Sequence, residues 1–175
     1  MLKTLRMIAN VGIVTEPAPA SDESLRVRDD LQQRIRAVLG RALCIRHVDA
    51  GSCNGCELEI HALNNPIYNI EGLGIRFVAS PRHADLLLVT GPVSRHMETA
   101  LRRTYDATPD PKLVVAVGDC GCTGGVFGES YASLGRVANV LPVNVQVPGC
   151  PPTPTRLLQA ILTAIAAAPL VNARE

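Results

Sequence analysis

Gly51-Ser52-Cys53-Asn54-Gly55-Cys56-Glu57-Leu58-Glu59-Ile60 decides how the rest of this chain is read. Two cysteines stand three positions apart with a glycine inside the pair, so a short loop can turn both thiols towards one centre. Taken alone, C-x-x-C fits half of a zinc site, a redox dithiol or part of an iron–sulfur site. The surrounding chain has to choose among them.

Apolar runs bracket that loop. Residues 42–48 read as a strand that ends just before it, with Cys44 inside as a small buried hydrophobe. Residues 57–63 read as a helix that stops before Asn64-Asn65-Pro66. Further strands are expected at 74–79, 85–90, 112–117 and 143–147, and further helices at 24–39, 94–105, 131–140 and 153–168. Strands alternating with helices predict an α/β fold with a mainly parallel sheet. The strands are continuous apolar runs, as expected when helices cover both faces. The five-residue link 80–84 is short for a parallel crossover, which usually needs a dozen residues or more.

In the helix at 24–39, Leu31, Ile35, Val38 and Leu39 share one face. Arg26, Arg28, Arg34 and Arg36 make the other face basic. Such a face is either solvated or a docking surface for a partner or a membrane. The expected division is an N-terminal extension with this amphipathic helix over 1–41, an α/β domain over 42–168 and a tail over 169–175.

With 175 residues, 47% of them hydrophobic, the chain can bury a core; only 3% are aromatic, so that core is aliphatic. A formal net charge of +1 gives no argument for nucleic-acid binding. Lys3, Arg6, the apolar run 7–14 and Ala18-Pro19-Ala20 imitate an export signal, but Asn10 and Gly12 interrupt the run, so no cleavage is expected. The apolar stretch 157–170 contains Gln159, Thr163 and Pro169 and is too short to span a bilayer.

Six cysteines are present: Cys44, Cys53, Cys56, Cys120, Cys122 and Cys150. The chain has strands enough to fold without disulfide staples, so metal or redox use is the better reading. Cys53 and Cys56, Cys120, and Cys150 each follow the end of an expected strand. In a parallel sheet those ends share one edge, where ligands of open α/β sheets bind. Four thiolates suit a structural zinc or a [4Fe–4S] cluster. Structural zinc sites favour two close pairs, whereas here the last two thiols are singletons, which favours the cluster and leaves zinc open. Cys120 lies nearer its strand end than Cys122, which is then a bystander. The glycine-rich run 118–125 lacks the G-K-[ST] ending of a phosphate loop.

CNGCELE, SPRHAD-LLLVTG, GDCGCTGGVFGESY and VPGCPPTP occur in that order, and together they resemble the iron–sulfur small subunit of energy-converting [NiFe] hydrogenases of the formate hydrogenlyase and hydrogenase-4 type. The 20 kDa (B) subunit of NADH:quinone oxidoreductase, complex I, belongs to the same family. The resemblance covers about residues 24–168. It implies a flavodoxin-like fold and one proximal [4Fe–4S] cluster held by Cys53, Cys56, Cys120 and Cys150. Complex I subunits usually show adjacent cysteines, and the C-x-x-C here favours the hydrogenase branch. The alternative is a complex I B subunit that donates electrons to quinone. A second alternative is a zinc-stabilised binding module without redox function.

The implied partners are a hydrogenase large subunit or its complex I 49 kDa-like counterpart, a ferredoxin-like polyferredoxin subunit and membrane-arm subunits. No complete active site is expected in this chain alone. The implied place is peripheral, on the cytoplasmic side of the cell membrane. Glu59, the last residue of the CNGCELE motif, is a candidate for proton coupling to the cluster, while Glu57 is expected to be a first-turn acid that favours the helix dipole. Arg82 and His83 lie either in a solvent-facing turn or near the large-subunit interface.

Overall fold

In the computed structural model, residues 2, 3, 6, 10 and 22–167 are described. The export-like segment 7–20 falls almost wholly outside them, as does the tail beyond 167. In chain order the elements are α1 (Asp22–Leu39), β1 (Leu43–Asp49), α2 (Gly55–Ala62), β2 (Ile75–Phe77), β3 (Leu86–Thr90), α3 (Arg95–Ala107), β4 (Leu113–Val117), α4 (Gly118–Thr123), β5 (Val145–Val147) and α5 (Pro154–Ala167). The five strands form one sheet in the order β2-β1-β3-β4-β5, and every pairing is parallel. That order is flavodoxin-like, with its switch point between β1 and β3.

The apolar runs follow from this burial. Along β3, Leu86 and Leu88 face one core while Leu87 and Val89 face the other, and all four are fully buried. The first core is closed by Leu31 and Ile35 of α1, Ile60 of α2 and the buried stripe of α5. The second is closed by Leu101 of α3 and by Val137, Val140 and Leu141. Truncating one such residue, for example Leu88→Ala, costs about 2–5 kcal/mol. Ser94 Oγ caps α3 by accepting from Met97 N at 3.3 Å, and Pro154 opens α5 behind Thr153.

Two expectations need correction. Residues 131–140 are not a helix; only Val137–Asn139 makes a 3₁₀ turn. Their backbone groups are taken by the loop before α3: Leu134 N donates to Val93 O at 2.7 Å, Val93 N to Gly135 O at 2.8 Å and Arg95 N to Ala132 O at 2.9 Å. Residues 118–123, expected as loop, are one and a half turns of helix. The short link between β2 and β3 needs no crossover helix, because Phe77 and Leu86 both stand opposite Ile45. The chain therefore moves sideways past β1 without travelling back along the sheet. That move brings exposed Arg82 and His83 to the start of β3, level with the beginning of β1 and remote from the strand ends that lead to the cysteines.

Candidate functional site

Asp49, Thr90, Val117 and Val147 close β1, β3, β4 and β5, and they stand in one row across the sheet. Cys53 and Cys56 follow the first of these residues, Cys120 the third and Cys150 the fourth. The four thiols consequently border a single cavity of about 160 Å³ at the carboxyl edge. Gly91 and Pro92, from the loop after β3, close it on the side of the switch point.

Each thiol is placed by a local device. Asp49 Oδ1 accepts from both Gly51 N and Ser52 N at 2.8 Å, which pins the loop that carries Cys53. Asn54 adopts a left-handed conformation (φ 72°), so the chain turns directly into α2 and Cys56 falls in its first turn. Cys120 and Cys122 sit two positions apart on α4, and two positions on a helix point to nearly opposite sides. Cys120 is half-buried at the rim, whereas Cys122 is buried with its Sγ 3.6 Å from Ala116 O. Cys44 is buried far from the rim, with Arg76 Nε donating to its Sγ at 3.3 Å. Cys53 and Cys150 are exposed.

The electrostatics record the gathering of thiols. Burial, and after it the charges of Glu57, Cys53, Cys120 and Cys150, together push the Cys56 thiol up to about 12. Burial likewise raises Cys120, helped by Cys150, Cys53 and Asp119. These groups crowd one another when no cation lies among them, and a bound metal reverses that balance by favouring thiolate. Soft sulfur donors lining a cavity on three separate segments fit an iron–sulfur group. Among the described residues, no three His, Cys, Asp or Glu side chains are drawn together tightly enough to hold a single ion.

Beside this cavity lies a polar group whose burial the sequence does not announce. Glu57 is buried, and both of its carboxylate oxygens lack a hydrogen-bond partner. Its Oε1 is 3.6 Å from His47 Nε2, which in turn lies 3.0 Å from Thr90 Oγ1. A cavity of about 330 Å³ opens beside this pair, between α2 and the end of β2. Burial lowers the pKa of His47, against the raising effect of Glu57. Position 57 was readable as a first-turn acid, but its inward direction depends on how α2 lies on β1. Glu59 is half-buried one turn after Cys56 on the same helix.

Fold and cavity together define a flavodoxin-like α/β domain with a four-thiol rim at the carboxyl edge of its sheet. The chain belongs to the family described as NADH ubiquinone oxidoreductase, 20 Kd subunit, which residues 53–164 match. It is similar to the probable membrane-bound hydrogenase subunit mbhJ of Pyrococcus furiosus, with 44% identity over 79% of this chain and 84% of that protein. It is also similar to formate hydrogenlyase subunit 7 of Escherichia coli, with 41% identity over 85% of this chain but only 58% of that longer protein. Among solved structures, a chain of the membrane-bound sulfane sulfur reductase, an archaeal respiratory membrane complex, superposes with a TM-score of 0.63 and 30% identity, covering 82% of this chain and 75% of that one. No helix among the described residues is long and apolar enough to cross a membrane.

Proposed function

We propose that this chain is the electron-transfer subunit of a membrane-associated, [NiFe]-hydrogenase-like complex, and that it holds one [4Fe–4S] cluster through Cys53, Cys56, Cys120 and Cys150. The observation that carries the reading is the level row of strand ends, which brings four thiols from three segments to one cavity. When bound, the cluster supplies one-electron redox chemistry. The chain's own residues hold and shield it: Asp49 fixes the first loop, α4 turns Cys120 outward, and Gly118 lets Cys56 approach. A cavity bordered on several sides by thiols supports a body wider than one zinc ion, whose ligands would converge at about 2.3 Å.

The C-x-x-C spacing supports the hydrogenase branch over a quinone-reducing one, and hydrogenase subunits are among the relatives the chain resembles. A large subunit would cover the rim, where Phe127 lines the cavity and is 62% exposed. A ferredoxin-like subunit and membrane-arm subunits complete the proposed assembly, with this chain peripheral on the cytoplasmic side. Iron and acid-labile sulfide analysis of the purified complex tests the reading. About four of each per copy of this chain, beyond what its partners bind, are expected. Stoichiometric zinc, or an iron content unaffected by removing this chain, would overturn it.

A further inference from the structure

Asp119 ties two of the thiol-bearing segments to each other. Its backbone N–H donates to Gly149 O at 2.9 Å, and its Oδ1 accepts from Gly149 N at 2.8 Å. The residue before Cys120 is thereby joined at two points to the residue before Cys150. Val117 and Val147 form the last pair of the β4–β5 ladder, so this reciprocal contact continues the register beyond the sheet, with a side-chain oxygen replacing a backbone acceptor.

Gly149 leaves little freedom to the other half of the contact. Its φ is +138°, and a β-carbon there would come within 2.7 Å of Pro152 Cα. The peptide that meets the carboxylate is therefore held in one orientation. A carboxylate accepting from a backbone N–H makes a charge-assisted bond, stronger than a neutral one. Asp119 also lines the thiol cavity and is only half-buried, so its charge lies beside the place where an electron would arrive. Net charge and hydrogen bonding near a cluster set its reduction potential.

We infer that Asp119 is a positioning residue with two separable effects: its Oδ1 fixes the spacing of the Cys120 and Cys150 segments, and its negative charge holds the cluster's reduction potential below the value an uncharged residue would give. The inference rests on the proposed four-cysteine cluster. Adding an electron beside a fixed negative charge is unfavourable, so removing the charge favours the reduced state. Among the described residues, no other one at the rim joins two of the thiol segments through both its backbone and its side chain.

Two substitutions in the intact complex separate the effects. Asp119→Asn keeps an oxygen for Gly149 N–H and removes the charge; Asp119→Ala removes both. Redox titration followed by EPR, together with iron content, reports each. The Asn variant should keep full iron and the parental line shape, while its reduced-to-oxidised ratio at fixed potential rises about tenfold, a positive shift of about 59 mV for one electron. The Ala variant should show a shift of the same sign and, in addition, lose iron or broaden the signal. Asp106→Asn, on the exposed face of α3, should leave the potential alone. An unchanged potential in the Asn variant overturns the charge effect. Full iron and an unaltered signal in the Ala variant overturn the spacing effect. A parental complex whose iron and EPR signals owe nothing to this chain defeats the cluster reading instead, and is distinguished from both by that control.

Discussion

Gly118 and Cys56 are packed so closely that a β-carbon built on Gly118 would stand 2.7 Å from the Cys56 sulfur. Gly118 also has φ +81°, a conformation that costs an L-residue roughly 1–2 kcal/mol. Gly118→Ala should therefore lower the stability of the chain modestly and displace Cys56 from the rim. We expect a folded chain by circular dichroism with a clearly reduced iron content. Normal iron loading in this variant would mean that Cys56 does not need its present position.

Four cysteines should behave as a set and two should not. Cys53→Ser, Cys56→Ser, Cys120→Ser and Cys150→Ser should each lose or alter the reduced-state EPR signal. Cys44→Ser and Cys122→Ser should retain it, because both thiols are buried away from the cavity, though each should cost some stability. A normal signal in Cys120→Ser with loss in Cys122→Ser would reverse the assignment on α4.

Much of this arrangement was legible in the sequence because it depends on local periods. Continuous apolar runs such as Leu86-Leu87-Leu88-Val89 announce a strand buried on both faces, and a parallel sheet then gathers the following loops at one edge. Residues 131–140 misled because their apolar spacing fits a helix while their hydrogen bonds go to Val93 and Arg95, a distant partner that no window reveals. Glu57 is the first-turn acid that the sequence announces, but its burial was out of reach for a similar reason. Its place in the first turn of α2 is local, but its burial against His47 depends on packing across two elements. On the basic face of α1, Arg34 and Arg36 are exposed, while the side chains of Arg26 and Arg28 lie outside those described.

His47 should make stability depend on pH on the acid side of neutrality. Burial lowers its folded-state pKa below the ordinary 6.5, so the unfolded chain binds a proton more readily than the folded one. This contribution is fully present above about pH 6.5 and is lost as pH falls from there towards the folded value. Urea midpoints measured on this chain between pH 7.5 and about 5 should fall, and His47→Gln should flatten that part of the curve. Equal slopes in the two proteins would show that His47 accepts its proton without cost.

Val126 is 99% exposed and Tyr131 94%, and with Phe127 they stand on the loop that follows Cys120. An exposed apolar group beside the thiol cavity is expected to be covered in the proposed complex, both to remove apolar surface from water and to shield the proposed cluster. Basic residues on α1 belong to a different surface, and single charges there act weakly and are screened by salt. Replacing Val126, Phe127 and Tyr131 by Ser should therefore weaken pairing with the large subunit by about 1–3 kcal/mol in total, read as loss on affinity purification at any salt concentration. Replacing Arg34 and Arg36 by Gln should leave that pairing intact and release the assembly from membranes only as ionic strength rises. Arg82→Ala, at the start of β3, should affect neither. Intact pairing in the triple variant would move the large-subunit contact to another face of the fold, while salt-dependent loss of pairing in the arginine variant would place it on α1.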